Sequence, residues 1–354
     1  MNRAARGADT IRSPSLDGLR AVSILLVVSN HLMFSATAPQ FIGWVSGAID
    51  AGALGVRVFF VLSGFLITGI LARELQRTGT LSLRQFYLRR ALRIFPASYV
   101  FLIVVAALAA VGVMNAARTE LLSAATYTLN FWPGRPAWEV AHLWSLAVEE
   151  QFYLLWPVTL LLLGVRRGAV LAALLLAGVP LLRVARVLGM SWHVLDLAAP
   201  FVMFADWLAV GALLALAGSQ LARWERYRAL RASNLWTLFL LVSALAAWTA
   251  LGHWRTSQLT SVWTAIAIAL VIDQLTAEPH CIATRVLAVP PMAWIGRISY
   301  SLYLWQEVFC YQAATTTWWT QFPTNVVLAF TCATLSYHAI ERPVLAWRDR
   351  ARHA

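Results

Sequence analysis

Lysine is absent from this sequence, and charge of either sign is scarce. All 28 residues in the lysine-plus-arginine count are arginine, and charged residues make up 12% of the 354 positions. Without lysine, neither Schiff-base chemistry nor a lysine general base is available. A soluble domain carries about 25% charged residues, so this chain has too few to cover a water-facing surface. These two absences exclude a lysine-dependent enzyme and a soluble globule.

Cysteine is also rare. Cys281, Cys310 and Cys332 are the three cysteines, and two of them lie in apolar runs. Their spacing matches neither a C-x-x-C pair nor a zinc motif. The sequence therefore predicts no metal site and no disulfide framework, and no cofactor is expected to stay permanently bound.

Long apolar runs are what the sequence has in abundance, since 60% of its residues are hydrophobic. A helix needs roughly 20 apolar residues to cross the hydrocarbon core of a bilayer. The pattern predicts an all-α, polytopic membrane protein with about ten transmembrane helices. The predicted spans lie near residues 17–36, 55–73, 95–114, 143–164, 168–187, 200–218, 235–252, 259–275, 294–313 and 324–342. A further apolar stretch, residues 121–132, is too short to span comfortably.

The arginines indicate how these spans are oriented. The net charge is +12, but the arginines are clustered between apolar runs, as the positive-inside rule requires of cytoplasmic loops, so nucleic acid is not an expected partner. If residues 121–132 do not cross, the clusters fall on one face, which is then cytoplasmic along with both termini. Loops 37–54 and 311–323 fall on the other face and lack arginine. Arg183 and Arg186 are exceptions to this asymmetry.

The domain organisation follows from the spans. We expect a cytoplasmic tail at residues 1–15, one membrane domain at 16–343 and a second cytoplasmic tail at 344–354. No repeat or long linker is visible, and too few residues follow Pro343 to form a second domain.

Arg20 and His31 lie on the first predicted span. Eleven helical steps bring them to within about 20° of each other and about 16 Å apart along the axis, so they face one groove at different depths. A lone membrane histidine is equally often a buried, neutral hydrogen-bonding group, but the shared face favours a functional role here. Asp17, three residues before Arg20, is interpreted as a structural partner.

Arg89 and Arg93 lie at i, i+4 on one helical face at the start of the third span. Such clusters are commonly topogenic charges beside the membrane. Guanidinium pairs also bind phosphate in a bidentate manner, so this pair is a candidate anion clamp. The spacing leaves both readings open.

Glu149 and Glu150 follow about two turns after His142, within the outer turns of the fourth span. Two adjacent glutamates in an apolar helix do not form a solvated face, and their predicted depth matches that of His31. A carboxylate at that depth can orient or balance the imidazole. Adjacent helical positions point about 100° apart, so at most one of the two is expected to face His31.

Other polar residues are assigned by depth as supporting candidates. Ser63-Gly64 in the second span is interpreted first as a small-residue packing notch, and second as a nucleophile without a nearby base. An inner, mainly basic set contains Arg20, Arg89, Arg93, Arg297 and Glu341. An outer set that can transfer protons contains His31, Glu149, Glu150, Gln306 and Glu307. Tyr300 lies between these sets on the ninth span.

Together these residues resemble the acyltransferase-3 family of membrane O-acyltransferases, which modify bacterial surface glycans and some small molecules. The resemblance covers nearly the whole chain. Its marks are residues 15–20 (SLDGLR) with His31, 59–67 (FFVLSGFLI), 89–96, 144–153 (WSLAVEEQFY), 299–305 (SYSLYLW) and 341–343 (ERP). Family members often carry a histidine where this chain has Gln306, and many append an extracytoplasmic hydrolase-like domain.

The resemblance implies an acyl-CoA donor, acetyl-CoA above all, approached from the cytoplasm, and an acceptor hydroxyl on a sugar, a glycan or a small molecule at the far side. It also implies roles for Arg20, His31, Arg89 and Arg93. We interpret His31 as the general base, supported by Glu149 or Glu150, and the inner arginines as donor-binding residues. Ser63, Tyr300, Arg297 and Glu341 are assigned supporting roles.

Two other function classes remain open at this point. A proton-coupled carrier of a sugar or lipid-linked sugar would use His31 and the glutamates as a relay, although no inverted repeat is visible. A scaffold that had lost its activity would not need Arg20 and His31 intact. The abundance of alanine and arginine indicates a GC-rich bacterial genome, hence the bacterial inner membrane as the expected location.

Overall fold

A computed structural model describes residues 13–35, 37–190, 200–249, 257–310 and 317–351. Regular structure in these ranges is helical throughout, as the apolar runs predict, because a helix satisfies its own backbone hydrogen bonds within a bilayer. The helices are α1 (Pro14–Leu32), α2 (Gln40–Ala48), α3 (Ala51–Thr78), α4 (Leu83–Ala110), α5 (Arg118–Ala125), α6 (Trp138–Ala141), α7 (Leu143–Val187), α8 (Ala205–Leu221), α9 (Glu225–Arg231), α10 (Asn234–Thr249), α11 (Ser257–Ala277), α12 (Ile282–Leu287), α13 (Pro290–Phe309), α14 (Thr324–Ser336) and α15 (Arg342–Ala351).

Three helical segments of the described chain are long and apolar enough to cross a membrane, namely Ala51–Thr78, Leu83–Ala110 and Trp138–Val187. A fourth arises if α8 and α9, which are bent by 119°, count as one broken span. The chain is therefore an integral membrane protein. Ten spans and cytoplasmic termini stay predictions, and parts of the predicted span 235–252 and of loop 311–323 lie outside the described residues.

Helix α7 is folded back on itself at Gly164. This glycine has φ 73° and ψ 175°, a conformation outside the helical region that favours glycine. A Cβ atom added to Gly168 would lie 2.5 Å from Leu160 Cδ2, although eight residues of straight helix would separate the two by about 12 Å. The chain therefore turns at Gly164, where the sequence predicts the boundary between two spans.

Residues 121–132 form no spanning helix. They contribute to α5, which has eight residues, and to a 3₁₀ turn at Leu129–Phe131. Glu120 fastens this segment, because its carboxylate accepts hydrogen bonds from the backbone N–H groups of Ala117 at 2.8 Å and Ala137 at 3.0 Å. The prediction that this stretch is too short to cross is confirmed.

The chain divides into two compact units. Unit 1 comprises Met1–Ala21, Arg57–Leu81 and Phe152–Gly296, and unit 2 comprises Val22–Val56, Ser82–Gln151 and Arg297–Ala354.

Unit 1 contains a close helix crossing. A Cβ added to Gly64 of α3 would lie 2.0 Å from the carbonyl oxygen of Leu208 in α8, and one added to Gly211 would lie 2.0 Å from that of Val61. Small residues at such positions let two membrane helices approach closely. The structure confirms the packing notch predicted at Ser63-Gly64.

Two arginines of unit 1 have structural partners. Arg183, an exception to the predicted charge asymmetry, donates to the carboxylate of Asp206, which is fully buried, and to the carbonyl oxygen of Met203 at 2.9 Å. The guanidinium of Arg57 lies 4.7 Å from the ring centre of Trp248 and 5.3 Å from that of Trp207. Cation–π contacts of this kind stabilise a guanidinium in an apolar setting.

The core of unit 2 joins α4, α5, the start of α7 and α13. Phe101, Val105 and Leu304 are fully buried there, and Leu143 is 3% exposed. This core positions the N-terminal end of α7 beside the C-terminal half of α13, the region that carries most polar residues of the outer set.

Candidate functional site

His31 lies in the last turn of α1 and belongs to unit 2. Both of its ring nitrogens have partners. Nδ1 lies 2.6 Å from Oε1 of Gln306, and Nε2 lies 3.1 Å from Oε1 of Glu307. The side chain of His31 keeps 15% of its surface exposed. The imidazole is therefore held by Gln306 and Glu307, and part of the ring stays accessible.

Glu307 lies between two imidazoles. Its Oε1 faces His31, while its Oε2 lies 2.7 Å from Nδ1 of His142 and 3.3 Å from the backbone nitrogen of His142. Glu307 is 3% exposed and His142 is 2% exposed. A buried carboxylate requires several charge-assisted hydrogen bonds to offset its loss of hydration. We call His31, His142, Gln306 and Glu307 the His31 cluster.

A second layer fixes His142. The hydroxyl of Tyr303 donates to the carbonyl oxygen of His142 at 2.8 Å and lies 2.6 Å from Oγ of Ser145. Tyr303 is one turn before Glu307 on α13, so one helix supplies both the carboxylate and the tyrosine that hold His142. The ring of His142 also contacts those of Tyr303 and Phe101.

Aromatic side chains form the wall of this cluster. Trp138 of α6 meets the His31 ring edge-on with 5.5 Å between centroids and packs against Phe34 in the same way. Trp305 packs against Phe101 at 5.5 Å. A partly apolar wall strengthens electrostatic interactions within the cluster by lowering the local dielectric constant.

The structure places Glu307 against His31, whereas the sequence analysis assigned that role to Glu149 or Glu150. The two glutamates point to different neighbours, as helical geometry predicts for adjacent residues. Glu149 acts electrostatically on Tyr303, and Glu150 interacts with Arg90. The catalytic role of either glutamate stays a prediction.

A second polar group of unit 2 gathers around Glu341. This buried residue accepts a hydrogen bond from the hydroxyl of Ser301 and interacts electrostatically with Arg93. It lies in a single π-helical turn, Tyr337–Glu341, directly before α15. Such turns often occur at functional sites.

Tyr300 and Arg90 extend this group. Tyr300 donates its hydroxyl to the carbonyl oxygen of Ile94 at 2.8 Å and lies within electrostatic range of both Glu341 and Glu150. Arg90 lies over the ring of Phe86 at 5.8 Å. Oε1 of Glu150 is buried and has no hydrogen-bond partner among the described residues. We call Arg90, Arg93, Tyr300, Ser301 and Glu341, together with Glu150, the Glu341 cluster.

The remaining predicted residues are distributed over both units. In unit 1, Arg20 donates from Nη1 to Oδ1 of Asp17 at 3.1 Å, which confirms the predicted i, i+3 pair. Ser63 belongs to unit 1 as well, beside the packing notch. Arg297 opens the third segment of unit 2 and is exposed, and Arg89 is half-buried on α4, one turn before Arg93.

The described ranges contain no group of three or more histidine, cysteine, aspartate or glutamate side chains that could hold a metal ion. The chemistry supported by the His31 cluster is proton transfer, because an imidazole can accept a proton at one ring nitrogen while a neighbouring carboxylate stabilises the resulting positive charge.

His142 is the site residue that the sequence analysis missed. It stands two residues before the WSLAVEEQFY run, at the start of a predicted span. A histidine at the outer end of a predicted span, at the depth assigned to His31 and Glu307, is the sequence signal for it. Its contact with Glu307 joins positions 165 residues apart and depends on packing.

The family model described as an acyltransferase domain matches residues 13–337. The chain belongs to the acyltransferase-3 family. The matched region contains every residue of the His31 cluster and extends through Tyr337 of the π-helical turn.

Three relatives carry the name of an O-acetyltransferase or a putative O-acetyltransferase. The chain is 38% identical to the peptidoglycan O-acetyltransferase OatA of Listeria monocytogenes over 162 residues, 42% of this chain and 24% of the relative. It is 29% identical to the putative peptidoglycan O-acetyltransferase YrhL of Bacillus subtilis over 367 residues, 94% of this chain and 54% of the relative. A putative O-acetyltransferase of Staphylococcus aureus, SACOL0978, is 29% identical over 330 residues, 82% and 50% of the two chains.

The chain spans about half the length of the curated relatives that it matches over most of its own length. No solved structure matches it significantly. The family therefore comes from sequence, and the arrangement of the site comes from the geometry above.

Proposed function

We propose that this protein is an O-acyltransferase that moves an acetyl group from acetyl-CoA to a hydroxyl group of a cell-wall glycan. The observation that carries the proposal is the His31 cluster, in which a partly exposed imidazole is backed by a carboxylate that His142 holds from its other side. The family membership and the names of the relatives support acetyl transfer to an oxygen.

In the proposed step, the acceptor hydroxyl oxygen attacks the thioester carbonyl carbon. A carbon–oxygen bond forms, the carbon–sulfur bond breaks, and the hydroxyl proton passes to His31. The imidazolium then returns this proton to the departing CoA thiolate, so that an ester and free CoA are the products. Glu307 stabilises the positive charge that His31 acquires, as the carboxylate does in other histidine–carboxylate pairs.

The arginines are assigned to the donor. Arg89 and Arg93 lie one turn apart on α4, and guanidinium groups bind phosphate oxygens strongly. We assign both to the phosphates of CoA, which a cytoplasmic donor would present from the inner side, and we keep Arg20 of unit 1 as a separate donor-binding candidate. In this scheme the protein resides in the bacterial inner membrane and acylates its acceptor on the outer side. Glu149, Glu150, Ser63, Tyr300, Arg297 and Glu341 remain supporting candidates.

The test uses the full chain purified in detergent or nanodiscs. It is incubated with acetyl-CoA labelled in the acetyl group and with soluble peptidoglycan fragments, and both free CoA and labelled fragments are measured. His31→Ala is expected to lower transfer by about 10² to 10⁴-fold and to leave CoA binding nearly intact, because it removes proton transfer in the transition state.

His280→Ala is the matched control, since His280 is exposed and belongs to neither cluster. It should keep wild-type activity. Transfer that survives in His31→Ala would refute the assignment of the base, and binding of CoA without any acetyl transfer by the wild type would refute the proposed reaction. Acceptor-dependent movement of the sugar itself, without CoA release, would instead indicate a carrier.

A further inference from the structure

Gln306 is the third member of the His31 cluster that contacts the imidazole. Its side chain is completely buried, and Oε1 of its amide lies 2.6 Å from Nδ1 of His31. The other end of the amide, Nε2, is buried and has no hydrogen-bond partner among the described residues. A buried amide with one unsatisfied end is costly to fold, so this residue needs an explanation.

The Glu307 carboxylate, on the opposite side of the His31 ring, determines whether Nδ1 carries a proton or a lone pair. An ionised carboxylate only accepts hydrogen bonds, so Nε2 of His31, which faces Glu307, must carry a proton. If the imidazole is neutral, Nδ1 then presents a lone pair and requires a donor. If it is an imidazolium, Nδ1 carries a proton and requires an acceptor.

A carboxamide can meet both requirements from one position. Its oxygen accepts and its nitrogen donates, and the two ends have almost the same shape, so a half-turn of the amide exchanges them. With Oε1 toward Nδ1, Gln306 matches the imidazolium. With Nε2 toward Nδ1, it matches the neutral base, and the amide nitrogen gains its missing partner.

We propose that Gln306 is a positioning residue that hydrogen-bonds Nδ1 of His31 in both protonation states of the imidazole. This proposal rests on the proposed role of His31 as the base, and it makes Nδ1 the nitrogen that takes the proton of the acceptor hydroxyl. The acceptor hydroxyl displaces the amide N–H from Nδ1, gives its proton to this nitrogen and forms the ester bond as the thioester breaks. Once the product leaves, the amide carbonyl faces Nδ1–H until the CoA thiolate takes the proton.

Other charged or titratable groups do not provide this match. Glu307 and Trp138 are the other neighbours of His31 for which a contact is described. Glu307 in turn contacts His142 and interacts electrostatically with Tyr303 and Cys310. Of the groups at Nδ1 and Nε2, Gln306 is the one that can exchange donor for acceptor.

Gln306→Glu separates this role from packing. The substituted carboxylate has the same shape but only accepts, so it favours the imidazolium and withdraws the base at neutral pH. We expect the ascending limb of the pH–rate profile to move up by about 1 to 3 pH units, the effect typical of an opposite charge at this range. Gln220→Glu makes the same change at an exposed position and should leave the profile unmoved.

A second readout does not depend on turnover. Diethyl pyrocarbonate modifies neutral imidazole, and peptide mass spectrometry reports its attachment to His31 across a pH series. The midpoint for His31 should move upward in Gln306→Glu and stay in place in Gln220→Glu. If the wild type transfers no acetyl group, the proposed function fails, yet this measurement still decides the role of Gln306.

Two further variants protect the test against misfolding of Gln306→Glu. Gln306→His keeps a hydrogen-bond donor and an acceptor, so turnover should stay within roughly tenfold of the wild type. Gln306→Met packs similarly but neither donates nor accepts a hydrogen bond as an amide does. Its kcat should fall by more than roughly tenfold, with an unchanged KM for acetyl-CoA. Equal rates for the histidine and methionine variants, or an unmoved midpoint in a folded Gln306→Glu, would overturn the proposal.

Discussion

At the scale of single residues, the arrangement of Glu307 accounts for why a carboxylate is tolerated in an apolar helix. One oxygen faces His31 and the other receives two hydrogen bonds from His142, so each part of its charge is matched. Removing one partner of such a buried group leaves the others unsatisfied, which costs several kcal/mol in typical cases. The cluster therefore acts as a unit.

Glu307→Gln tests this interpretation. The amide keeps the shape but loses the charge that stabilises the imidazolium, so we expect turnover to fall roughly a hundredfold or more with little change in the KM for acetyl-CoA. Steady-state kinetics with a donor titration provides the measurement. Glu149→Gln and Glu150→Gln are compared in parallel, and a larger loss in either of them than in Glu307→Gln would return the orienting role to that glutamate.

Substitution of the arginines of α4 is expected to change the kinetics in a different way from substitution of Glu307. Arg89→Ala and Arg93→Ala should each weaken acetyl-CoA binding roughly ten- to hundredfold, because each removes a charge-assisted bond to phosphate. Excess donor should restore much of the rate. Arg84→Ala is the matched control, since Arg84 is exposed on the same helix.

The measurement for the arginines combines donor titrations of the rate with direct CoA binding by calorimetry. Arginine variants that bind CoA normally while His31→Ala loses it would reverse the proposed assignment of donor and base residues. Arg93 contributes an additional test of mechanism, because it also interacts electrostatically with the buried Glu341. A loss of stability in Arg93→Ala greater than in Arg89→Ala is therefore expected.

At the scale of helices, the crossing of α3 and α8 is the most sharply defined contact of unit 1. Gly64→Ala would place a methyl group 2.0 Å from a backbone carbonyl oxygen, well inside van der Waals contact. Backbone atoms cannot move aside as a side chain can, so we expect destabilisation of about 1 to 3 kcal/mol or more. Thermal denaturation in detergent measures the effect.

Gly178→Ala is the control for this prediction. It also lies in a helix of unit 1, but a Cβ there has no atom within 4 Å. Replacing an unconstrained helical glycine by alanine should leave stability unchanged or raise it by up to about 1 kcal/mol. Equal melting temperatures for Gly64→Ala and the wild type would show that α3 and α8 are not in close contact.

Elements of local origin could be predicted from sequence. The pair of Asp17 and Arg20, the notch at Gly64 and the turn near Gly164 each follow from spacing, residue size or backbone freedom within a short window. The pairing of His31 with Glu307 could not, because 276 positions separate them and several carboxylates share the predicted depth. The sequence predicts how deep in the membrane a residue lies, but the packing of side chains determines which residue at that depth it contacts.

At the scale of the whole molecule, the length of residues 121–132 determines the orientation of everything after them. The structure divides this stretch between an eight-residue helix and a 3₁₀ turn, fastened through Glu120. A segment of this kind cannot cross about 30 Å of hydrocarbon. Within the described residues 115–164, the N-terminal part of α7 is then the helix long enough to cross, and one crossing is the prediction for this stretch.

A reporter fused after Arg167 tests this topology most directly. If residues 121–132 do not cross, the bend at Gly164 and its two arginines face the cytoplasm, where basic loops are retained, and the reporter should read cytoplasmic. Fusions after Arg231 and Arg352 should agree with it, and insertions within residues 37–54 or 311–323 should read external. An external signal after Arg167 would mean that residues 121–132 span the membrane. His31 and the N-terminal end of α7 could then no longer lie at the same depth in the bilayer. Their direct connection through Glu307 and His142 is the physical reason to expect the cytoplasmic result.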